Sequence, residues 1–187
     1  HAHPNAAQRQ VEGIDPGLYA HYVDHSHNIT SSPEEASAVV EAVRGLIGRK
    51  WIDGSHAEAL SDSDILVVAP YNLQVRIVRR ALDEAGFTET RVGTVDKFQG
   101  QEAPVVLVTM TSSSAVDLPR GLDFLLSRNR LNVALSRAQA LALLVCSPRL
   151  VQADIRDVEQ MRLVSGMLGL QAGARPWPVV SQSTGCP

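Results

Sequence analysis

Cysteine is almost missing from this 187-residue sequence: Cys146 lies in an apolar run, Cys186 beside the carboxyl end, and no CxxC pair occurs. Zinc binding and dithiol redox chemistry therefore have no ligand set to work with. Long hydrophobic runs are missing too. No stretch approaches the roughly 18 consecutive apolar residues that span a bilayer. The opening HAHPNAAQRQ has no apolar core of the signal-peptide kind, so a cytoplasmic protein is expected. Charge of one sign is scarce, because 17 basic against 20 acidic residues leave a formal net charge of -3. A globally basic surface for nucleic acid is thus excluded, and any such contact must come from a local site or a partner domain. No internal repeat is visible. What remains is ordinary globular usage, 44% hydrophobic and 20% charged, enough to bury a core at a length that suits one domain.

The pattern along the chain predicts alternating strands and helices. Residues 1–13 are polar and aperiodic and are expected to form a disordered chain-edge segment, 14–170 the domain, and 171–187 a loosely ordered tail. Leu18 to Asp24 suits a strand. Ser31-Ser32-Pro33-Glu34-Glu35 is a helix start, with a capping serine, a proline in the first turn and acids at the positive dipole end, and the helix should run to about Ile47. Asp53 to Asp64 looks like a polar connection. Ile65 to Ala69 is a continuous aliphatic run of the kind buried on both faces of a parallel sheet. Leu73 to Ala85 is apolar at helical spacing and stops at Gly86, a suitable C-terminal cap. Further strands are predicted at Arg91 to Val95, Pro104 to Thr111 and Leu141 to Cys146, a loop at Asp117 to Gly121, and helices at about Leu125 to Ala138 and Pro148 to Leu168. This order favours an α/β fold, a mainly parallel sheet with helices on both faces and a ligand site beyond the strands' carboxyl ends.

Two segments crowd chemistry into few residues. In Val92-Gly93-Thr94-Val95-Asp96-Lys97-Phe98-Gln99-Gly100-Gln101-Glu102 a strand ends in hydroxyl, acid, base, aromatic, amide and glycine, and the apolar Pro104 to Val108 follows. In Ser127 to Ala138, Leu131, Ala134, Leu135 and Ala138 form a buried stripe, while Arg130 and Arg137, seven apart, share one side. VGTVDKFQGQE resembles motif V, and RLNVALSRA motif VI, of the superfamily 1B helicases. Val67 to Gln74 (VVAPYNLQ) is similar to a strand-loop-helix element of the same motor domain, so three motifs stand in family order. The branch acting in RNA surveillance and DNA-end processing, with its link to DNA repair, carries nearly the same strings. Bacterial fusions of such a motor to a RecB-like nuclease also resemble Gly17 to Ala38.

The resemblance implies the second, C-terminal RecA-like domain of an ATP-dependent DNA or RNA helicase, with a P-loop NTPase fold but without its own P-loop. ATP would lie at the seam between two such domains. Arg137 matches the motif VI arginine that reaches the γ-phosphate, the arginine finger and the one catalytic residue expected here. Glu102 matches the motif V acid at the nucleotide, Gly100 a close backbone approach, and Arg130 is assigned to the nucleotide as well. Thr94 and Asp96 match positions near the nucleic-acid strand, with Pro70, Tyr71 and Asn72 lining the same face. Missing are G-x-x-x-x-G-K-[ST], the acidic magnesium motif and a Q-Y-R-M-H-P-like segment, so the phosphate cradle and Mg ligands are expected in an absent first RecA-like domain in cis. The fragment alone should be inactive. Gln101 stands where many relatives carry arginine or lysine.

Blander roles fit some of the same residues. Arg130 and Arg137 could be solvated helix positions, Thr94 and Asp96 could cap the short helix after the strand, and Tyr71 could pack the loop or stack on a base. His21, His25 and His27 alternate, but no cysteine or acid cluster completes a ligand set, so no metal site is predicted. The alternative to a motor is a non-catalytic nucleic-acid or protein-binding module descended from one. Family likeness favours 5′ to 3′ movement.

Overall fold

Strands and helices alternate in the computed structural model, which describes residues 9–114, 121–152, 155 and 157–178. In chain order these are β1 (Arg9–Val11), β2 (Gly17–Tyr22), α1 (Pro33–Leu46), β3 (Lys50–Asp53), β4 (His56–Ala59), β5 (Ile65–Val68), α2 (Asn72–Glu84), β6 (Arg91–Gly93) and β7 (Ala103–Thr109). Then come α3 (Gly121–Leu125), α4 (Arg128–Leu135), β8 (Ala138–Cys146), α5 (Val158–Gly173) and β9 (Arg175–Pro176). Six strands form one sheet in the order β6-β5-β7-β8-β2-β9, every pair parallel. Among the described residues no helix is long and apolar enough to cross a membrane.

The α/β reading is right in its main features. Along β5, Ile65 and Val67 point into one core cluster with Val39, Val43, Val78 and Leu82 of α1 and α2. Leu66 and Val68 point the other way, toward Leu131, Leu163 and Met167 of α4 and α5. Side chains alternate across a strand, so a run that is apolar at every position needs cover on both faces, and the helices supply it. Helix α1 begins where Ser32 accepts the Glu35 amide at 3.1 Å with Pro33 in the first turn. Helix α2 ends in two reversed hydrogen bonds, Phe87 N–H to Leu82 O at 2.8 Å and Gly86 N–H to Asp83 O at 3.1 Å, with Gly86 at φ +89. That Schellman arrangement needs a left-handed residue, which glycine adopts without strain.

Several elements differ from expectation. Residues 9–11 lie in strand β1, which pairs antiparallel with β3, rather than in a frayed start. The polar connection after Asp53 contains a hairpin: β3 and β4 are joined across Gly54, at φ +62, and all of β4 is exposed, so its sequence carries no alternation to read. The helix expected over Leu125 to Ala138 is two helices, α3 and α4, and Ala138 already belongs to β8, where it pairs with Ala103. The last helix starts at Val158, capped by Asp157, whose side chain accepts the Gln160 amide at 2.8 Å. The stretch after Pro148 is a turn whose Arg149 reaches Asp24 (2.6 Å) and the His25 carbonyl (2.9 Å) instead. The tail is partly built into the sheet, since α5 runs to Gly173, β9 pairs with β2, and Trp177 meets Tyr19 edge-on at 5.7 Å. The loop at Asp117 to Gly121 lies outside the described residues except for Gly121, the first residue of α3.

Candidate nucleotide and nucleic-acid edges

Because all six strands run the same way, the sheet has one edge of carboxyl ends and one of amino ends, and the predicted site residues divide between them. At the carboxyl edge, β5 passes into Ala69, Pro70 and Tyr71, and β6 into Thr94 and the 3-10 turn Val95–Phe98. The two ends are tied by Ala69 N–H to Gly93 O at 3.0 Å. Asn72 opens α2 and is exposed, whereas Tyr71 is buried against Phe124, ring centroids 5.5 Å apart. Tyr71 thus packs the loop in this structure. Thr94 occupies the cap position of the 3-10 turn without a side-chain capping bond. Asp96 is exposed and accepts from Arg130 at 3.2 Å.

Arg130 also lies over the Phe124 ring, 4.5 Å from its centroid, at the rim of a small apolar pocket formed by Val68, Pro70, Val95, Met110 and Phe124. That places it with the strand-assigned residues and not with Arg137. The helix explains the split, because α4 carries Arg130 in its first turn and Arg137 lies beyond its end. At about 1.5 Å rise per residue, seven positions separate the two by roughly 10 Å along the axis.

At the amino edge, Arg137 and Glu102 immediately precede the paired residues Ala138 and Ala103, so β7 and β8 hold them side by side. The Arg137 carbonyl accepts the Ala103 amide at 3.0 Å, and its Nε donates to the Val133 carbonyl at 3.2 Å. Glu102 is exposed, with Oε2 accepting from Gln139 at 3.4 Å. Gly100 has φ +79 and open space where a Cβ would stand, so its requirement is a left-handed turn and not clearance from this chain. Arg91, which the sequence did not single out, opens β6 beside these residues. Its guanidinium donates to Gln101 Oε1 and to the Glu102 carbonyl, both at 3.4 Å. Among the described residues no group of three or more His, Cys, Asp or Glu side chains could hold a metal ion.

Motif residues also shape the core. A Cβ on Gly93 would stand 2.6 Å from Lys97 Cδ and 2.9 Å from Phe98 Cε2. Lys97, tied to the Val92 carbonyl at 3.1 Å, would have to shift its stem, and Phe98, 3% exposed, has little room to move its ring. Gly93→Ala should destabilise the domain by about 1–3 kcal/mol in urea unfolding; a change within about 0.5 kcal/mol would show that the turn relaxes around a methyl group.

The sequence also missed a buried polar cluster. Glu35, read as a dipole acid, has a fully buried side chain, as does His25, whose Nε2 lies 3.0 Å from Glu35 Oε1. Glu35 Oε2 accepts the Thr111 amide at 2.8 Å and the Thr109 hydroxyl. Gln74, also buried, accepts the Ser32 amide at 2.7 Å and donates to Thr109 Oγ1 at 3.2 Å. Gln74 closes the APYNLQ string, so the motif marked it, but only the fold shows what it holds.

Known proteins carry related sequences. A profile of the AAA domain family matches residues 12–149. The DNA polymerase alpha-associated DNA helicase A of Schizosaccharomyces pombe is 41% identical over 86 residues, covering 46% of this chain and 12% of that protein. The RNA helicase Mov10l1 of Mus musculus is 33% identical over 103 residues, 54% of this chain and 9% of that protein. The DNA replication ATP-dependent helicase/nuclease JHS1 of Arabidopsis thaliana is 26% identical over 168 residues, 88% of this chain and 12% of that protein. The chain thus spans about a tenth of the length of these relatives. With its parallel sheet covered on both faces and these helicase relatives, the chain belongs to the AAA domain family and is a superfamily 1 helicase-like domain.

Proposed function

We propose that this chain is the second motor domain of an ATP-dependent superfamily 1 DNA or RNA helicase, completed by a first RecA-like domain in the same protein. The observation that carries the proposal is the division of motif residues between opposite edges of one sheet. Gly100, Glu102 and Arg137 stand at the amino edge, and Pro70, Asn72, Thr94 and Asp96 at the carboxyl edge. One edge would form a wall of the nucleotide site and the other would carry the strand. Arg130, through its contacts with Asp96 and Phe124, is reassigned to the strand edge.

The residues present fit one wall of such a site and no more. Arg137 supplies a planar, permanently charged donor suited to a γ-phosphate, and Glu102 is exposed beside it. Magnesium, held by the first domain, would neutralise phosphate charge during transfer. Domain closure would move the Arg137 guanidinium from the Val133 carbonyl onto the phosphate, while the rigid sheet carries the strand edge along. At the carboxyl edge, hydroxyl and backbone groups would hold phosphates and sugars without reading bases, which suits a net charge of -3 that offers no broad basic track. The relative named as a helicase/nuclease, which matches along most of this chain, makes a fused nuclease part of the proposal. A cytoplasmic setting and a DNA-repair role belong to it too.

The test compares strand-stimulated ATP hydrolysis by residues 1–187 with that of the full-length protein. Turnover only in the full-length protein is expected. Turnover by the isolated chain would overturn the half-motor, and strand binding without ATP dependence in either would favour the non-catalytic module.

A further inference from the structure

At the carboxyl end of β7 the chain makes a turn that a β-branched residue disfavours. Thr111 has φ +72 and stands between Met110 and Ser112, whose carbonyl and amide close a three-residue hydrogen bond of 2.7 Å. A positive φ at this point belongs to the rare, strained form of the γ-turn. Among the described residues the buried Thr111 hydroxyl has no hydrogen-bond partner, which adds to the cost. Such strain persists only where surrounding contacts over-determine it.

Glu35 Oε2 accepts the Thr111 amide and the Thr109 hydroxyl, on either side of Met110. Its Oε1 faces His25 Nε2, and His25 Nδ1 lies 2.7 Å from Ser113 Oγ, which also accepts the Asn28 amide at 3.0 Å. The amide of Ser113 donates to the Asn28 carbonyl at 2.9 Å, and Ser112 Oγ to the Ile29 carbonyl at 2.5 Å. Thr109, Thr111, Ser112 and Ser113 are thus held by α1 and by the segment leading into it, while the Met110 amide donates to the Val145 carbonyl of β8 at 3.0 Å. On the other side Gln74 joins Thr109 and Ser32, and it lies in the first turn of α2, two residues after Asn72. One carboxylate is therefore bonded to the exit of β7 and, through Thr109 and Gln74, linked to the first turn of α2, where the loop Pro70 to Asn72 ends. Both lie at the carboxyl edge, where Met110 and Pro70 line the same pocket.

We infer that Glu35 is a positioning residue for the nucleic-acid edge, and that through Thr109, Thr111 and Gln74 it sets the strained exit of β7 and the Pro70 to Asn72 loop against the strand. The inference rests on the proposed function, which assigns the strand to that edge. It does not extend to the nucleotide edge, because Glu102 and Arg137 stand at the other end of β7 and β8 and share no hydrogen bond with this cluster. Loss of the cluster should therefore weaken the grip on the strand and leave the nucleotide untouched. A merely structural role would lower stability without this separation.

The experiment uses the full-length protein, a fluorescently labelled single strand, and ATP turnover at saturating strand. Thr109→Val removes the hydroxyl shared by Glu35 and Gln74 while keeping the β-branched shape. Strand affinity should fall about tenfold or more, with the KM for ATP within about twofold of the parent. Glu35→Leu should act in the same direction. Glu35→Gln keeps a carbonyl oxygen for Thr109 and Thr111 and should restore strand affinity to within about threefold. If Glu35→Leu fails to fold, Thr109→Val decides. A folded Thr109→Val protein that binds the strand like the parent overturns the inference alone, as does an equal loss at both edges. A parent protein that binds no single strand overturns the proposed function and this inference with it.

Discussion

Arg137→Ala in the full-length protein should lower strand-stimulated ATP turnover by about 10³-fold or more, the scale on which arginine fingers act. The side chain sits just beyond the end of α4, its backbone fixed by the Ala103 amide, so truncation removes the guanidinium and leaves the β7–β8 pairing intact. Nucleotide binding should remain measurable, because a contact that matters most when charge develops on the transferred phosphoryl group contributes less to the ground state. Arg137→Lys should recover little, since an ammonium cannot reproduce the planar fork of donors. Steady-state turnover and nucleotide titration on the same preparations check both points. Unchanged turnover in a folded Arg137→Ala protein would remove the residue from the chemistry.

The second large effect is on stability and falls inside a motif. Phe98→Ala should cost about 3–5 kcal/mol, the range for emptying a buried aromatic site. Phe98 is 3% exposed and packs in the cluster with Leu66, Val68, Val106 and Leu131, under the turn whose tightness depends on Gly93. Set against the roughly 5–15 kcal/mol that holds a typical domain together, that loss should bring the unfolding midpoint far down. Gln99→Ala, one residue on and exposed, should change stability by about 0.5 kcal/mol or less. Denaturant unfolding of the pair decides whether the aromatic in DKFQGQE is there for packing. A cost below about 1 kcal/mol for Phe98→Ala would mean that the surrounding core collapses into the space the ring leaves.

The sequence showed the sheet because its signals are local. A run such as ILVV, apolar at every position, leaves little room for a surface strand, and the Ser32-Pro33 start and Gly86 stop are set by backbone groups within a few residues. Arg137 and Glu102 lie beside one another because each precedes a strand that pairs with the other's, a long-range pairing that no local signal shows. Misreadings arose where distant contacts decide. LNVALSRA keeps a helical period past Leu135, but pairing with Ala103 draws Ala138 into β8. Exposed β4 had no period at all, and α5 begins late because Arg149 is drawn to Asp24 and His25, over a hundred residues earlier. Arg130 and Arg137 share no continuous helical face, because α4 ends at Leu135. Glu35 escaped notice because an acid in a first turn already had a sufficient local explanation, and nothing near it in the chain announces Thr109 or Thr111.

The seven residues of β7 set a length. At about 3.3 Å per residue its two ends stand roughly 20 Å apart, more than twice the roughly 8 Å over which physiological salt screens charge. Under the proposed assignment of the two edges, a phosphate lost at the exposed amino end would be weakly felt through solvent at the other. What passes between fuel and track would then pass mainly as displacement, to which a sheet clamped by helices on both sides is suited, being stiff. The domain would behave as a short rigid lever, with a stroke set by how far it tilts and by the length of its strands.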